Sequence, residues 1–260
     1  MHKLSVCIIT FDEARNIRDC LESVKWADEI VVVDSGSTDA TVEICRAYTD
    51  RIVVLDWAGN VAQKNRAVDR ATNEWVLSID ADERVSPRLR AEIEAVLSTD
   101  PPHAGYTIPR LTWYVDRWIR HGTWYPDRKL RLFARSRGRF TGLDPHDRVE
   151  VQGTVGRLSN DLLHYSYRDI AHHVERSNRY TTTMAALKEG RGVRFPLGRM
   201  VFYPPAKFFK MYVVRQGFRD GVSGFIVAIL GSVYEFLKYA KLWELKRKGT
   251  GAGASPDKQL

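Results

Sequence analysis

The chain has 260 residues, 44% of them apolar, and a formal net charge of +8. That is one large domain, or a domain with an appendage, able to bury a full core. Three cysteines, Cys7, Cys20 and Cys45, show no metal-ligand spacing and read as buried reduced thiols, which excludes a disulfide framework.

The first hundred residues alternate strand and helix. Leu4–Thr10 is a buried strand, followed by Ile17, Cys20, Leu21 and Val24 at helical spacing. Leu4 starts that strand with neither a charged leader nor a cleavage site before it, which reads as a cytoplasmic chain. Glu29–Val33 is a second strand ending at Asp34, and Ser35-Gly36-Ser37-Thr38 forms a turn with a helix N-cap before Val42, Cys45 and Tyr48. Arg51–Leu55 is a third strand, Val61–Ala71 a helix and Trp75–Ile79 a fourth strand. Ser86-Pro87 caps the next helix, which runs to Leu97. This order predicts an α/β fold with a mostly parallel sheet and helices on both faces.

After Pro101-Pro102 the rhythm changes. Short strands are expected at Tyr106–Pro109, Lys129–Phe133 and Val149–Val151, and a helix over Ile170–Lys188. His172 and His173 are adjacent on that helix and face apart, so they make no metal pair. Residues 199–248 hold ten Lys/Arg against Asp220, Glu235 and Glu244, nearly the whole net charge. That segment is expected to meet something anionic. Gly221–Leu237 is the one candidate membrane segment. It is broken by Gly221, Gly224 and Gly231, and shorter than the ~20 apolar residues a spanning helix needs. With Phe202, Tyr203, Phe208, Phe209, Tyr212, Phe218 and Phe225 interleaved with bases, it fits a helix lying in the headgroup plane. The expected domains are 1–198, in two halves of about 1–100 and about 101–198, then a helical membrane-associating segment 199–248 and a flexible tail 249–260.

The most informative stretch is Asp80-Ala81-Asp82-Glu83. Two carboxylates at i and i+2, just past a strand end, project into the crevice where open α/β sheets bind ligands. Hard oxygen ligands there suit Mg2+ or Mn2+, and such an ion suits a diphosphate.

Taken together, Ile9-Thr10-Phe11-Asp12-Glu13, Val32-Val33-Asp34-Ser35-Gly36-Ser37-Thr38-Asp39, Gln63-Lys64-Asn65 and Asp80-Ala81-Asp82-Glu83 resemble glycosyltransferase family 2, in particular its lipopolysaccharide core β-1,4-glucosyltransferases. Weaker matches follow at Arg131-Leu132-Phe133, Pro145-His146-Asp147, His164-Tyr165 and Asp220-Gly221. The resemblance implies a GT-A, Rossmann-like fold with a C-terminal helical basic extension, nucleotide-sugar chemistry and inversion at the anomeric carbon. It implies that Asp82 ligates the metal, that Asp80 reaches the ribose or the ion through water, and that Lys64 and Asn65 line the donor site. It places His164 near the diphosphate or metal, where a satisfied core histidine is the alternative.

Several residues can also be read physically within that frame. Thr10–Glu13 follows the first strand, where the backbone flanks a nucleobase and Glu13 reaches a ribose or base. Asp34 can accept the uracil N–H, and Asp39 can serve as a helix N-terminal carboxylate. Glu83 is a third metal ligand or a first-turn helix carboxylate. Asp147 is the candidate general base, with Asp144 its competitor; family members usually show His-Glu where this chain has His146-Asp147. Arg128, Arg131 and Trp124 are candidate acceptor or diphosphate contacts. The expected activity is metal-dependent transfer of a hexose, glucose first, from a UDP-sugar to a lipid-linked saccharide acceptor of the lipopolysaccharide inner core. The enzyme is expected to sit peripherally on an anionic surface, the inner face of the bacterial inner membrane. Transfer to a polyprenyl phosphate and a non-catalytic nucleotide-sugar-binding module at the membrane are the alternatives. Nucleic acid is not an expected partner, since no recognition-helix or RNA-binding signature is present.

Overall fold

The computed structural model describes residues 2–142, 147–193 and 196–250. They form two compact units, one from residues 2–112 with the described part of 126–166, the other from 113–125 with the described part of 167–250.

The first unit is built on a sheet. Its parallel core runs β3 (Ile52–Val54), β2 (Glu29–Asp34), β1 (Leu4–Thr10) and β4 (Trp75–Asp80). The sheet continues through β8 (Asp127–Ala134), which runs antiparallel to β4, then β6 (Gly105–Tyr114), β12 (Leu162–His164) and β5 (Glu83–Val85). Alternation along the strands sends side chains to two cores. Leu4, Val6 and Ile8, Val32, and Leu77 and Ile79 face α1 (Ile17–Val24) and α4 (Pro87–Ser98), with Cys45 of α2 (Thr41–Arg46). Cys7, Val31, Val33 and Val76 face α3 (Asn60–Arg70), through Ala67 and Val68. Helices thus cover both faces of a mostly parallel sheet, as the βα rhythm predicts. Ser86 caps α4, its hydroxyl accepting from the Leu89 amide at 3.2 Å. All three cysteines are buried free thiols, and burial raises Cys7, Cys20 and Cys45.

The strand β5 is a finding the sequence pattern did not show. It holds Glu83 fully buried in a strand, so this residue is not a first-turn helix carboxylate. The hairpin of β9 (Gly138–Thr141) and β10 (Arg148–Val151) stands off the main sheet, and β11 (Val155–Arg157) pairs with β6.

The second unit carries α5 (Ile170–Gly190), α6 (Pro196–Phe209) and α7 (Gly221–Thr250), with β7 (Arg117–Ile119) in the 113–125 segment. A π-helical turn, Lys210–Val214, and a 3-10 turn, Gly217–Asp220, link α6 to α7. The glycines expected to break 221–237 do not break it: α7 runs 30 residues without interruption. They permit close packing instead. A Cβ on Gly224 would lie 2.0 Å from the Gly217 carbonyl oxygen, and one on Gly231 2.7 Å from the Met211 sulfur. Gly217–Lys248 is long and apolar enough to cross a membrane, by length and composition. Trp124 packs in this unit against Tyr114 and Tyr167, partly buried beside the helical unit's core.

Candidate active site

The parallel core brings three of the marked positions to one sheet edge. Register pairs Thr10 with Asp34, and Ile9 with Asp80, so the carboxyl ends of β1, β2 and β4 lie side by side. This edge is where α/β sheets bind ligands.

Asp34 is 0% exposed. Its Oδ2 accepts from the Gly36 and Ser37 amides, both at 2.8 Å, and its Oδ1 from the Ser37 hydroxyl at 2.5 Å. The carboxylate therefore braces its own loop, with one lone pair of Oδ1 left over. The loop is tied to the turn after β1: the Asp12 amide donates to Ser37 Oγ and the Thr38 amide to Asp12 Oδ1, each at 2.8 Å. Asp12 holds a left-handed φ of 50° there. Asp39 accepts from the Thr41 amide at 2.9 Å, the Thr41 hydroxyl, and the Ala14 amide at 3.1 Å. Desolvation would raise the Asp39 carboxyl, but these bonds hold it below its ordinary value. Glu13 accepts from the Asn16 side-chain amide at 2.7 Å and donates its own N–H to Thr41 Oγ1 at 2.8 Å. The Thr10 hydroxyl is buried without a protein partner, a polar atom at the sheet edge that a ligand could satisfy.

Past β4 the chemistry is ionic. Lys64, buried on α3, places its ammonium 3.1 Å from Asp80 Oδ1 and 2.9 Å from Asp147 Oδ2. One helix position on, Asn65 clamps β9: its Nδ2 donates to the Phe140 carbonyl and its Oδ1 accepts from the Phe140 amide, both at 3.0 Å. Since β9 pairs with β10, and Asp147 directly precedes β10, this clamp fixes the hairpin that carries Asp147. Asp144 lies outside the described residues.

The ionic chain continues. Arg131 Nη2 lies 2.8 Å from Asp80 Oδ2 and 2.8 Å from Glu83 Oε1. Arg110 joins Glu83 at 3.2 Å and Asp127 at 2.6 Å, and Glu83 Oε2 accepts from the Asp80 amide at 2.9 Å. Burial would raise the Asp80 carboxyl, yet Arg131 first and Lys64 next hold it well below the usual carboxylate range. Burial likewise opposes the Arg131 charge, but Asp80 and Glu83 raise it. Arg128 donates to the Leu158 carbonyl at 2.8 Å.

His164, at the end of β12, brings Nε2 within 3.3 Å of Asp82 Oδ2, with Thr112 Oγ1 3.4 Å from its Nδ1. Two ligands of one octahedral ion, each about 2.1 Å from it, stand about 3 Å apart, so this pair fits a small divalent cation. Among the described residues no group of three or more His, Cys, Asp or Glu side chains converges as a metal cage. An ion here would complete its shell from water and substrate phosphates, the usual manner of Mg2+. The residue that sequence reading missed is Arg110, whose partners Asp127 and Glu83 lie 17 and 27 residues away.

Comparison with known proteins matches this architecture. The model of glycosyl transferase family 2 matches residues 5–154. Lipopolysaccharide core biosynthesis glycosyltransferase LpsC of Rhizobium meliloti (strain 1021) is 32% identical over 248 residues, covering 93% of this chain and 92% of that protein. The glycosyltransferase RT0209 of Rickettsia typhi is 32% identical over 269 residues, covering 98% and 91%. Among solved structures, glucosyl-3-phosphoglycerate synthase from Mycobacterium tuberculosis, in complex with Mn2+ and UDP-glucose, shares 22% identity over 44% of each chain with a TM-score of 0.36. With a family match over more than half its length and a relative aligned over more than nine-tenths of both chains, this chain belongs to glycosyl transferase family 2 and is a glycosyltransferase.

Proposed function

We propose that the protein is an inverting, metal-dependent hexosyltransferase that moves a hexose, glucose first, from a UDP-sugar to a lipid-linked saccharide of the lipopolysaccharide inner core. The observation that carries this reading is the placement of Asp147. Lys64 holds it one ammonium away from Asp80, the carboxylate that ends β4. Inverting transfer needs one general base opposite the leaving group. Asp147 takes the proton of the acceptor hydroxyl as that oxygen bonds to the anomeric carbon and the bond to the diphosphate breaks. Lys64 neutralises donor phosphate, and Asp80 holds the ribose. Thr10, Glu13 and Asp34 line the nucleoside side, and Asn65 fixes the Asp147 hairpin. Asp82 and His164 would hold Mg2+ or Mn2+, which offsets the charge growing on the departing UDP.

The acceptor class is supported by the similarity, over more than nine-tenths of both chains, to a lipopolysaccharide core enzyme. The basic stretch 199–248 suits its phosphates and an anionic membrane at the cytoplasmic face.

The test is UDP release from a panel of UDP-, GDP- and dTDP-sugars with a lipopolysaccharide core acceptor, with Mg2+ or Mn2+ and with EDTA. UDP release from one sugar, abolished by EDTA, is expected. Asp147→Asn and Asp82→Asn should each lower turnover about 10²- to 10⁴-fold while the fold survives. No turnover and no calorimetric donor binding across the panel would overturn the reading and leave a non-catalytic module. Transfer to polyprenyl phosphate in place of core saccharide would overturn the acceptor.

A further inference from the structure

Ordinary surface helices bury their apolar stripe and present charge outward. Near the start of α7 the second unit does the opposite. The helix buries Val227, Ala228, Tyr239 and Leu242 and leaves Val222, Phe225, Ile229, Val233 and Phe236 exposed. Those exposed positions step by three and four residues, one continuous line along a helix.

At its N-terminal end this line joins an aromatic patch. Phe225 contacts Phe208 and Tyr212 at ring distances of 6.0 and 5.5 Å, and Tyr212 contacts Phe218 at 6.2 Å. Phe218, Val213 and Val214 are exposed beside it, and so are Lys210, Arg215 and Arg219 on the same two turns. The one carboxylate between residues 199 and 234, Asp220, is withdrawn from this surface. It is buried and accepts from the His121 amide at 2.8 Å, with His121 Nδ1 also at 2.8 Å.

The patch is held in shape. Gln216 takes a left-handed φ of 56°, and a Cβ on Gly217 would lie 2.7 Å from the Met211 carbonyl oxygen. With Gly224 against Gly217, these close approaches fix the bend that presents rings and bases together.

We propose that the 208–225 bend and the outward line of α7 form a docking surface for an anionic lipid bilayer, with α7 lying in the headgroup plane. Phe218, Val222 and Phe225 enter the acyl boundary, and Lys210, Arg215 and Arg219 meet lipid phosphates. Charge selects this occupant over a second apolar protein face: three exposed bases ring the rings, and no exposed acid lies between them. Length alone would let α7 cross the membrane, but its buried side bears the Lys238–Glu235 ion pair at 2.7 Å, and Lys241 is bonded to Asn178 and Thr181. Crossing would carry these charges into hydrocarbon, whereas a single apolar line fits immersion of about 5–10 Å. The purpose of this surface rests on the lipid-linked acceptor proposed above; its test does not.

The full chain is sedimented with vesicles of phosphatidylcholine alone and with added phosphatidylglycerol, without donor or acceptor. Binding to the anionic vesicles only, or far more strongly, is expected. Each basic residue removed should weaken it about fivefold, so Lys210→Gln/Arg215→Gln/Arg219→Gln weakens it roughly a hundredfold. Phe218→Ser/Phe225→Ser, whose thermal melting reports the fold, should weaken it at least tenfold. Thermal melting of the basic variant serves as a separate readout of its fold and should be unchanged. A wild-type chain that ignores both vesicles and instead dimerises with concentration would overturn the proposal. So would equal binding to neutral vesicles that resists alkaline carbonate, the behaviour of a spanning helix.

Discussion

A buried titratable cluster in each unit is settled by opposite means. In the sheet unit, Asp147, Lys64, Asp80, Arg131, Glu83, Arg110 and Asp127 form a chain of alternating sign, each charge held by the next. In the helical unit, His173 and Tyr114 sit together with a 2.9 Å contact between Nδ1 and the hydroxyl, and neither is charged. Burial first, then Arg176 and His172, pushes His173 down to about 4; burial and Tyr167 push Tyr114 up to about 12. A buried ionisable group must be paired or neutralised. The paired solution keeps charge at the sheet edge, where α/β sheets bind ligands. The neutral solution only packs. The proposed chemistry therefore draws on the first unit's ions and leaves the aromatic cluster to stability.

The contrast breaks most visibly at Glu83. It is 0% exposed and answers Arg131, Arg110 and the Asp80 amide at once. Glu83→Ala leaves two guanidinium groups short of a partner. Removing one member of a buried ion pair costs about 3–5 kcal/mol. Urea unfolding of the variant should show a loss of that order, and a loss under about 1 kcal/mol would mean that water already serves those arginines. Glu83→Gln keeps the acceptor for the Asp80 amide and should fall between.

The neutral cluster should announce itself through pH. The folded His173 holds its proton only below about 4, while an unfolded histidine binds one below about 6.5. Between those values the unfolded state carries more protons, so stability falls as pH falls through that window. The loss is on the order of 3 kcal/mol and is complete near pH 4. Denaturant titrations at pH 7, 5.5 and 4.5 should show this slope, and His173→Phe should flatten it. An unchanged slope in that variant would assign the acid sensitivity to other groups.

What the sequence could show follows the same division between local and distant causes. The strands β1, β2 and β4 are apolar runs, and the cap of α4 lies within three residues of Ser86, so both were legible. So was the conjunction of Thr10, Asp34 and Asp80 at one sheet edge, because βα order alone places strand ends together. The three-residue strands β5 and β12 were not, since their existence depends on pairing across 77 to 81 residues rather than on their own pattern. The Lys64–Asp147 contact spans 83 positions and depends on an asparagine clamping a strand, which no local periodicity encodes. The glycines of α7 misled for a related reason. Their effect on the chain is set by what lies opposite them, Gly217 and Met211, and a sequence window does not contain those neighbours.

Asp34 offers the smallest perturbation and the sharpest question, since its oxygens already serve the loop. Asp34→Asn keeps an oxygen for the amides of Gly36 and Ser37 but loses the charge that strengthens those bonds, and should lower stability by about 1 kcal/mol. Its amide group then takes the place of Oδ1, the oxygen with a lone pair to spare. Uracil presents an N–H at its ring N3, and cytosine presents a bare acceptor there. If Oδ1 receives the nucleobase, the variant meets uracil donor to donor and cytosine donor to acceptor. UDP affinity should drop about tenfold while CDP affinity holds or rises, a difference of about 1.4 kcal/mol or more that calorimetry resolves. Equal weakening of both nucleotides would mean that Asp34 acts on the donor only through the loop it braces. The uracil specificity would then have to come from the backbone after β1, at Thr10 to Glu13.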